Sequence, residues 1–392
     1  MARGISLAKR DHSIEQKLMA TSLPKLLFAD SESSADILYA TRFFAPDPFL
    51  YLQKNGKSWV ILSDLEVDRG RKQAEVNTVL SYSDLEKKTP VRAKTKPSLA
   101  KVYAHFLNQQ KVSRVEVPHD FPLGLATELK KLGVTCVPTT TLFWPERELK
   151  SAAEIKNISQ ALRITEAGMA RGIEVLRAAK IGKNKALRWG NAALTSEILR
   201  AEIDIAMLRK GGMPANTIVA GGSQACDPHE RGSGPLKANS LIILDLFPRD
   251  SRTGYFGDMT RTVVRGRASD AQRHLWETCL IGQKLAFACI KPGADGALVH
   301  QGVKDLFTKV GYPTVRKKGR WQGFFHGTGH GLGLEIHEQP RFGATVFKPG
   351  QVITVEPGIY IPGVGGVRHE DVVVVTDKRH QVLSRFPKPL EI

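Results

Sequence analysis

Apolar and polar positions divide the chain into two stretches of different rhythm. From residue 23, short apolar runs alternate with Gly, Asn and Asp, and LPKLLFAD (23–30), FLYLQ (49–53), SWVILS (58–63) and TVLSY (78–82) read as strands. SLAKVYAHFLNQQ (98–110) has helical spacing; VSRVEVP is a strand, LGLATELKKLG a helix ended by Gly133, and VTCVPTT a further strand. Residues 1–20 read as a basic helix. Strands alternating with helices predict a small α/β domain over residues 1–147. It has no Gly-rich phosphate loop and no cluster of titratable groups, which marks it as a scaffold or dimerisation domain.

A boundary falls at Trp144-Pro145-Glu146, and the rhythm changes beyond it. Ile155, Ile158, Leu162, Met169, Ile173 and Leu176 recur at mostly three- and four-residue steps, which predicts a long amphipathic helix over 148–180. A second helix runs over 195–212, opened by a capping Thr195 and stopped by Gly211 and Gly212. After it the chain turns strand-rich and Gly-rich, giving a second domain over 148–392.

Four elements of that domain carry acids or histidines where the pattern predicts burial. LIILDLFPRDSRTGYFGDMTRT (241–262) reads as two strands joined by a turn, with Asp245 ending an apolar run and Asp258 opening the next strand. A buried carboxylate needs a counter-charge, but an aspartate pair alone is equally a hydrogen-bonded pair, and Asp250 in the turn competes. FFHGTGHGLGLEIHEQP (324–340) sets His326, His330 and His337 among four glycines, which argues against an HExxH helix and for a loop that aims imidazoles from irregular backbone. QVITVEPGIY (351–360) is a strand ending in Glu356, and GGVRHEDVVVVTD (365–377) opens a strand with Glu370 and Asp371. The IPGVGG between them predicts one hairpin that brings the two glutamates together. Four buried acids beside an imidazole repel one another, and divalent cations are the simplest compensation. An oxygen-rich set with one imidazole suits Mn, Co or Zn.

Composition changes this picture little. Hydrophobic residues make up 42% of the chain and charged residues 24%, so it is globular and not disordered. The formal charge of +18 is compatible with anionic partners. It is spread along the chain, with no zinc-finger spacing and no RNP-like motif, so no specific nucleic-acid partner is expected. Cys136, Cys226, Cys279 and Cys289 are widely spaced and read as small buried residues of a reducing compartment. No apolar run has the length of a signal peptide or a membrane span, so a cytoplasmic protein with no membrane partner is expected.

Taken in order, these elements resemble the pita-bread metallopeptidases, the family of methionine aminopeptidases, Xaa-Pro aminopeptidases and prolidases. The resemblance covers roughly 150–392. It implies an α/β N-terminal domain, creatinase-like, followed by an α+β pita-bread catalytic domain. It places five metal ligands on Asp245, Asp258, His330, Glu356 and Glu370, holding two divalent ions, Mn first, with Co or Zn as alternatives. TIVAGGSQACDPH (217–229) resembles the segment ending in the family's active-site histidine, here His229. His326 and His337 match the histidines flanking the metal histidine in proline-directed members, and Arg368 matches the arginine preceding the last glutamate.

VEPGIY and VRHED favour the Xaa-Pro aminopeptidase and prolidase branch. The implied reaction is hydrolysis of the bond between an N-terminal residue and proline by water bridging the ions. Glu356 would carry the proton, and His229 and His337 would bind the substrate carbonyl and oxyanion. His326 and Arg368 would orient ligands, as Thr260 and Tyr255 also could, although plain packing serves as well for those two. Arg341, after HEQP, resembles an arginine that receives a dipeptide's carboxylate in some prolidases; a surface or structural role explains it equally. The implied partners are peptides with proline second and a second copy of the chain in a homodimer. The aspartates stand 13 apart, two more than usual in the family, and an even insertion keeps both on one strand face. A methionine or broader aminopeptidase and a catalytically silent peptide-binding module of the same fold stand as alternatives.

Overall fold

The computed structural model describes residues 23–91, 95–343 and 345–392; the basic helix expected over 1–20 lies outside them. The polypeptide divides between Pro145 and Glu146 into two compact units.

In the first unit, β1 (Lys25–Ala29), β2 (Phe49–Lys54), β3 (Lys57–Leu62), β4 (Thr78–Ser81), β5 (Arg114–Val117) and β6 (Thr135–Pro138) form one sheet in the order β4-β3-β2-β1-β5-β6. Its centre is antiparallel, while β3–β4, β1–β5 and β5–β6 are parallel. Alternation splits β2 between two cores: Leu50 and Leu52 join Tyr103, Phe106 and Leu129, whereas Phe49 and Tyr51 join Ile37, Phe43 and Trp144. Apolar cover on both faces explains why β2 reads as a continuous hydrophobic run.

The second unit begins with α1 (Ala152–Ala178), opened by a capping box between Ser151 and Glu154. It starts four residues later than its apolar periodicity predicts. α2 (Ser196–Leu208) follows, with Thr195 accepting a bond from the Ile198 amide. Both pack on a three-stranded antiparallel sheet of β7 (Ile218–Gly221), β8 (Leu241–Leu246) and β9 (Met259–Val264), in the order β7-β8-β9. The connection from β8 to β9 is more than a turn, because Arg249–Asp250 pairs with Gly212–Met213. Asp250 is fully buried there, with Oδ1 accepting from the Arg252 amide at 2.9 Å.

α3 (Asp270–Cys289) and α4 (Gly296–Lys309) back a second sheet. It contains β10 (His330–Gly331), β11 (Glu338–Arg341), β12 (Val352–Val355), β15 (Asp371–Val375) and β16 (His380–Val382), in the order β11-β10-β12-β15-β16. The strands that intervene in sequence, β13 (Gly358–Ile361) and β14 (Gly365–Arg368), pair with each other outside this sheet, and Tyr360 of β13 makes a further antiparallel bridge to Gly323. The single hairpin expected over 351–377 is therefore a ribbon broken once, between the pairs Val355↔Asp371 and Gly358↔Arg368. At the break the Glu356 amide donates to Thr328 O at 2.8 Å and the Glu370 amide to Thr260 O at 3.2 Å. Each glutamate thus leaves its own ribbon and is held by a neighbouring segment.

Candidate metal centre

Register decides where the two aspartates point. Asp245 pairs with Thr260, and Leu246 with Met259, so Asp258 falls opposite Phe247. Directly opposed residues share a sheet face and successive residues alternate. Asp245, Phe247, Asp258 and Thr260 therefore face one side. Asp245, Phe247 and Asp258 line one cavity of about 800 Å³. Thr260 Oγ1 stands 3.0 Å from Asp245 Oδ1 and 2.7 Å from Glu370 Oε2, and its one proton serves both carboxylates.

His330 is delivered by glycines. A Cβ at Gly329 would lie 2.0 Å from Thr354 O, and one at Gly331 would lie 2.1 Å from Gln339 O; both obstacles are backbone and cannot yield. The His330 amide donates to Thr354 Oγ1 at 3.0 Å. Its Nδ1 is 3.1 Å from Gly331 O, which fixes the proton on Nδ1 and leaves a lone pair on Nε2. That Nε2 faces Glu356 Oε1 at 3.3 Å and Asp258 Oδ2 at 3.8 Å. Burial, with the neighbouring His337 charge, holds the ring neutral by pushing its pKa down to about 3.

Glu356 and Glu370, from the break in the ribbon, close the site. Ligand atoms of Asp258, His330 and Glu370 all lie within 4.8 Å of one another. Burial first, then the charges of Glu370 and Asp245, hold the Asp258 carboxyl well above its usual range. Burial and the Glu356 charge do the same to Glu370. Burial lifts Glu356 to about 7, although Arg368 pulls the other way. Acids that resist ionisation together, facing an imidazole lone pair, are a donor set that fits divalent cations.

Around this set Arg368 is the organising cation. Its Nη2 donates to Asp245 Oδ2 at 2.6 Å, Nε to Thr260 Oγ1 at 3.1 Å and Nη1 to Tyr360 OH at 2.9 Å. Tyr360 OH in turn donates to His326 Nε2 at 2.9 Å, because His326 Nδ1 is committed to Gly327 O at 2.9 Å. His326 therefore reaches the acids through Tyr360 and Arg368. His229, His337 and Arg341 also line the cavity, together with Ile218, Phe325 and Ile336. The His337 ring meets that of His330 edge-on, with centroids 4.5 Å apart. The strand carrying Arg341 is clamped by Glu338. Burial alone would raise the Glu338 carboxyl, yet Lys150 at 3.0 Å and Arg147 at 2.6 Å hold it below its usual range.

The ten residues singled out by sequence line this one cavity: Asp245, Asp258, His330, Glu356, Glu370, His229, His326, His337, Arg341 and Arg368. Two secondary candidates separate. Thr260 bonds two of the acids, whereas Tyr255 OH donates to Glu154 Oε1 at 2.7 Å. Asp250 is not among the residues lining the cavity. Sequence reasoning passed over Tyr360 and Thr354, the latter 3.4 Å from Glu356 Oε1. Thr354 stands two residues before Glu356 in the same apolar run, and a polar residue in phase with an acid is the signal that finds it; Tyr360 lies beyond the break, where strand parity no longer carries.

Residues 156–377, more than half of the chain, match the model of metallopeptidase family M24. An Xaa-Pro dipeptidase of Pyrococcus furiosus is 33% identical over 62% of this chain and 65% of its own, just under two thirds of that relative. The Xaa-Pro dipeptidase of Pyrococcus horikoshii is 30% identical over 71% of this chain and 75% of its own. Among solved structures, the X-Pro aminopeptidase of Thermotoga maritima superposes with a TM-score of 0.79 over 97% of this chain and 100% of that one, at 22% identity, which shows the fold. With that fold, and with the family model matched across α1 to β15, the chain belongs to the pita-bread metallopeptidases of family M24.

Proposed function

We propose that the chain hydrolyses the peptide bond between an N-terminal residue and proline, using two divalent ions held by Asp245, Asp258, His330, Glu356 and Glu370. The convergence of Asp258, His330 and Glu370 ligand atoms within 4.8 Å carries this reading. Asp245, Asp258, His330, Glu356 and Glu370 would hold the ions through four carboxylates and the Nε2 lone pair of His330. Divalent ions held there would offset the carboxylate charge and acidify bound water. Glu356 would accept the proton of the attacking water and return it to the proline nitrogen, a tertiary amide nitrogen that needs protonation to leave as its bond to the carbonyl carbon breaks. His229 and His337, on the cavity wall, donate to the substrate carbonyl. Phe247, Phe325 and Ile336 supply apolar surface suited to a pyrrolidine ring.

Two relatives named Xaa-Pro dipeptidase support proline direction over a methionine aminopeptidase. Manganese as the native ion, a homodimer and a cytoplasmic location belong to the same proposal. Among the described residues no helix is long and apolar enough to cross a membrane. A panel of Xaa-Pro dipeptides, Xaa-Pro-Yaa tripeptides and Met-Ala-Ser with added Mn, Co or Zn tests the specificity. Turnover of Xaa-Pro substrates at least tenfold above Met-Ala-Ser is expected; preference for Met-Ala-Ser would replace the reading with a methionine aminopeptidase.

A further inference from the structure

β9 presents two sets of side chains. Thr260, in phase with Asp258 just before the strand, bonds Asp245 and Glu370, while Arg261, between Thr260 and Thr262, points the other way and is 1% exposed. All five of its N–H donors are used. Nε donates to Pro387 O at 3.1 Å, and Nη1 to Thr260 O at 2.9 Å and Glu370 O at 2.5 Å. Nη2 donates to Asp371 Oδ1 at 2.8 Å and Phe386 O at 2.7 Å. Asp371 is also paired with Lys388 at 2.5 Å.

Gln283, from α3, is fully buried behind the same place. Its Nε2 reaches Val355 O at 2.9 Å, His369 O at 3.0 Å and Asp371 Oδ2 at 3.3 Å. Val355 and His369 are the residues immediately before Glu356 and Glu370. One amide group therefore ties the two peptide planes from which both glutamates project, at the point where the ribbon's own pairing stops.

We propose that Gln283 and the Arg261–Asp371 pair are positioning residues that set the spacing of Glu356 and Glu370 for the cations; this rests on the ion site proposed above. None of the three lines the cavity, so they act through the backbone of the ligands. Buried polar groups behind ligands fix ligand geometry and so tune affinity for the ion. A four-acid site whose members repel one another needs such restraint most, because relaxed glutamates move apart and the ions must then pull them together.

The test is manganese titration of the full-length protein by calorimetry, with wild type, Gln283→Met and Arg261→Lys compared. Gln283→Met keeps volume and removes the amide; Arg261→Lys keeps charge and removes at least two donors. Both are expected to bind manganese at least tenfold more weakly, to gain less melting temperature on metal addition than wild type, and to recover turnover at saturating manganese. Affinity within twofold of wild type in both variants, even with a lower metal-free melting temperature, would show a merely structural layer and overturn the inference. Wild-type protein that binds no manganese would instead overturn the ion site itself, and the inference with it.

Discussion

Arg368 Nη2 donates to Asp245 Oδ2 at 2.6 Å, and both side chains are buried. Removing one partner of such a pair leaves a buried charge uncompensated. Arg368→Met is expected to lower the stability of the metal-free protein by about 3–5 kcal/mol, read from the denaturant midpoint. Saturating manganese should recover much of that loss, because a cation then faces Asp245. An equal loss with and without manganese would separate Arg368 from the ion site.

The raised acids make metal-free stability depend on pH in an unusual direction. Burial lifts Glu356 from 4.5 unfolded to about 7 folded, and Asp258 and Glu370 shift the same way. Between those values the folded state keeps a proton that the unfolded state has released, so stability falls as pH rises. From pH 4.5 to 7 the expected loss is on the order of 3 kcal/mol from Glu356 alone. Urea midpoints of chelated protein should fall across that window, and manganese should abolish the fall. Midpoints that rise with pH in chelated protein would mean that these acids are not forced together.

Glu356→Gln nearly keeps shape but removes the proposed proton carrier and one ligand charge. Turnover at saturating manganese is expected to drop by about 10² or more. Near-normal turnover with both ions bound would move the proton-carrying role elsewhere.

Much of this site is legible in the sequence because strands repeat every two residues. Asp245 at the end of LIILD and Glu356 at the end of VITVE stand out as acids where apolar runs predict burial. DMTRT sets Asp258, Thr260 and Thr262 in phase, and Thr260 does bond the acids. What escapes is contact across long stretches of chain. Arg261 meets Asp371 across 110 residues, and Gln283 meets Val355 across 72. Nothing in the helical pattern around Gln283 says which carbonyls it will find. The strands around Glu356 and Glu370 pair as a hairpin predicts, but the pairing breaks at the glutamates, whose amides bond to Thr328 and Thr260 instead of to each other's strand. For Tyr255 the sequence leaves ligand orientation and plain packing equal, and its hydroxyl bonds Glu154, at the start of α1, a partner 101 residues away.

Arg341 lines the cavity from the exposed end of β11, four residues after His337. If it receives the carboxylate of a dipeptide, Arg341→Ala should raise KM for Xaa-Pro dipeptides roughly tenfold. Xaa-Pro-Yaa tripeptides, whose carboxylate lies one residue further out, should change less. An equal effect on both would assign Arg341 to the rim and favour aminopeptidase over dipeptidase activity.

Metal-dependent proline-directed hydrolysis is tested most directly by one cycle on purified protein. The protein is stripped with chelator, its manganese content is measured, and hydrolysis of an Xaa-Pro dipeptide and an Xaa-Pro-Yaa tripeptide is followed before and after manganese is restored. Stripped protein should lose activity on both, and activity should return in proportion to manganese bound, reaching its plateau at two ions per chain. Full activity in protein verified to be metal-free, or no Xaa-Pro hydrolysis with two ions bound, would contradict the role assigned to Asp245, Asp258, His330, Glu356 and Glu370.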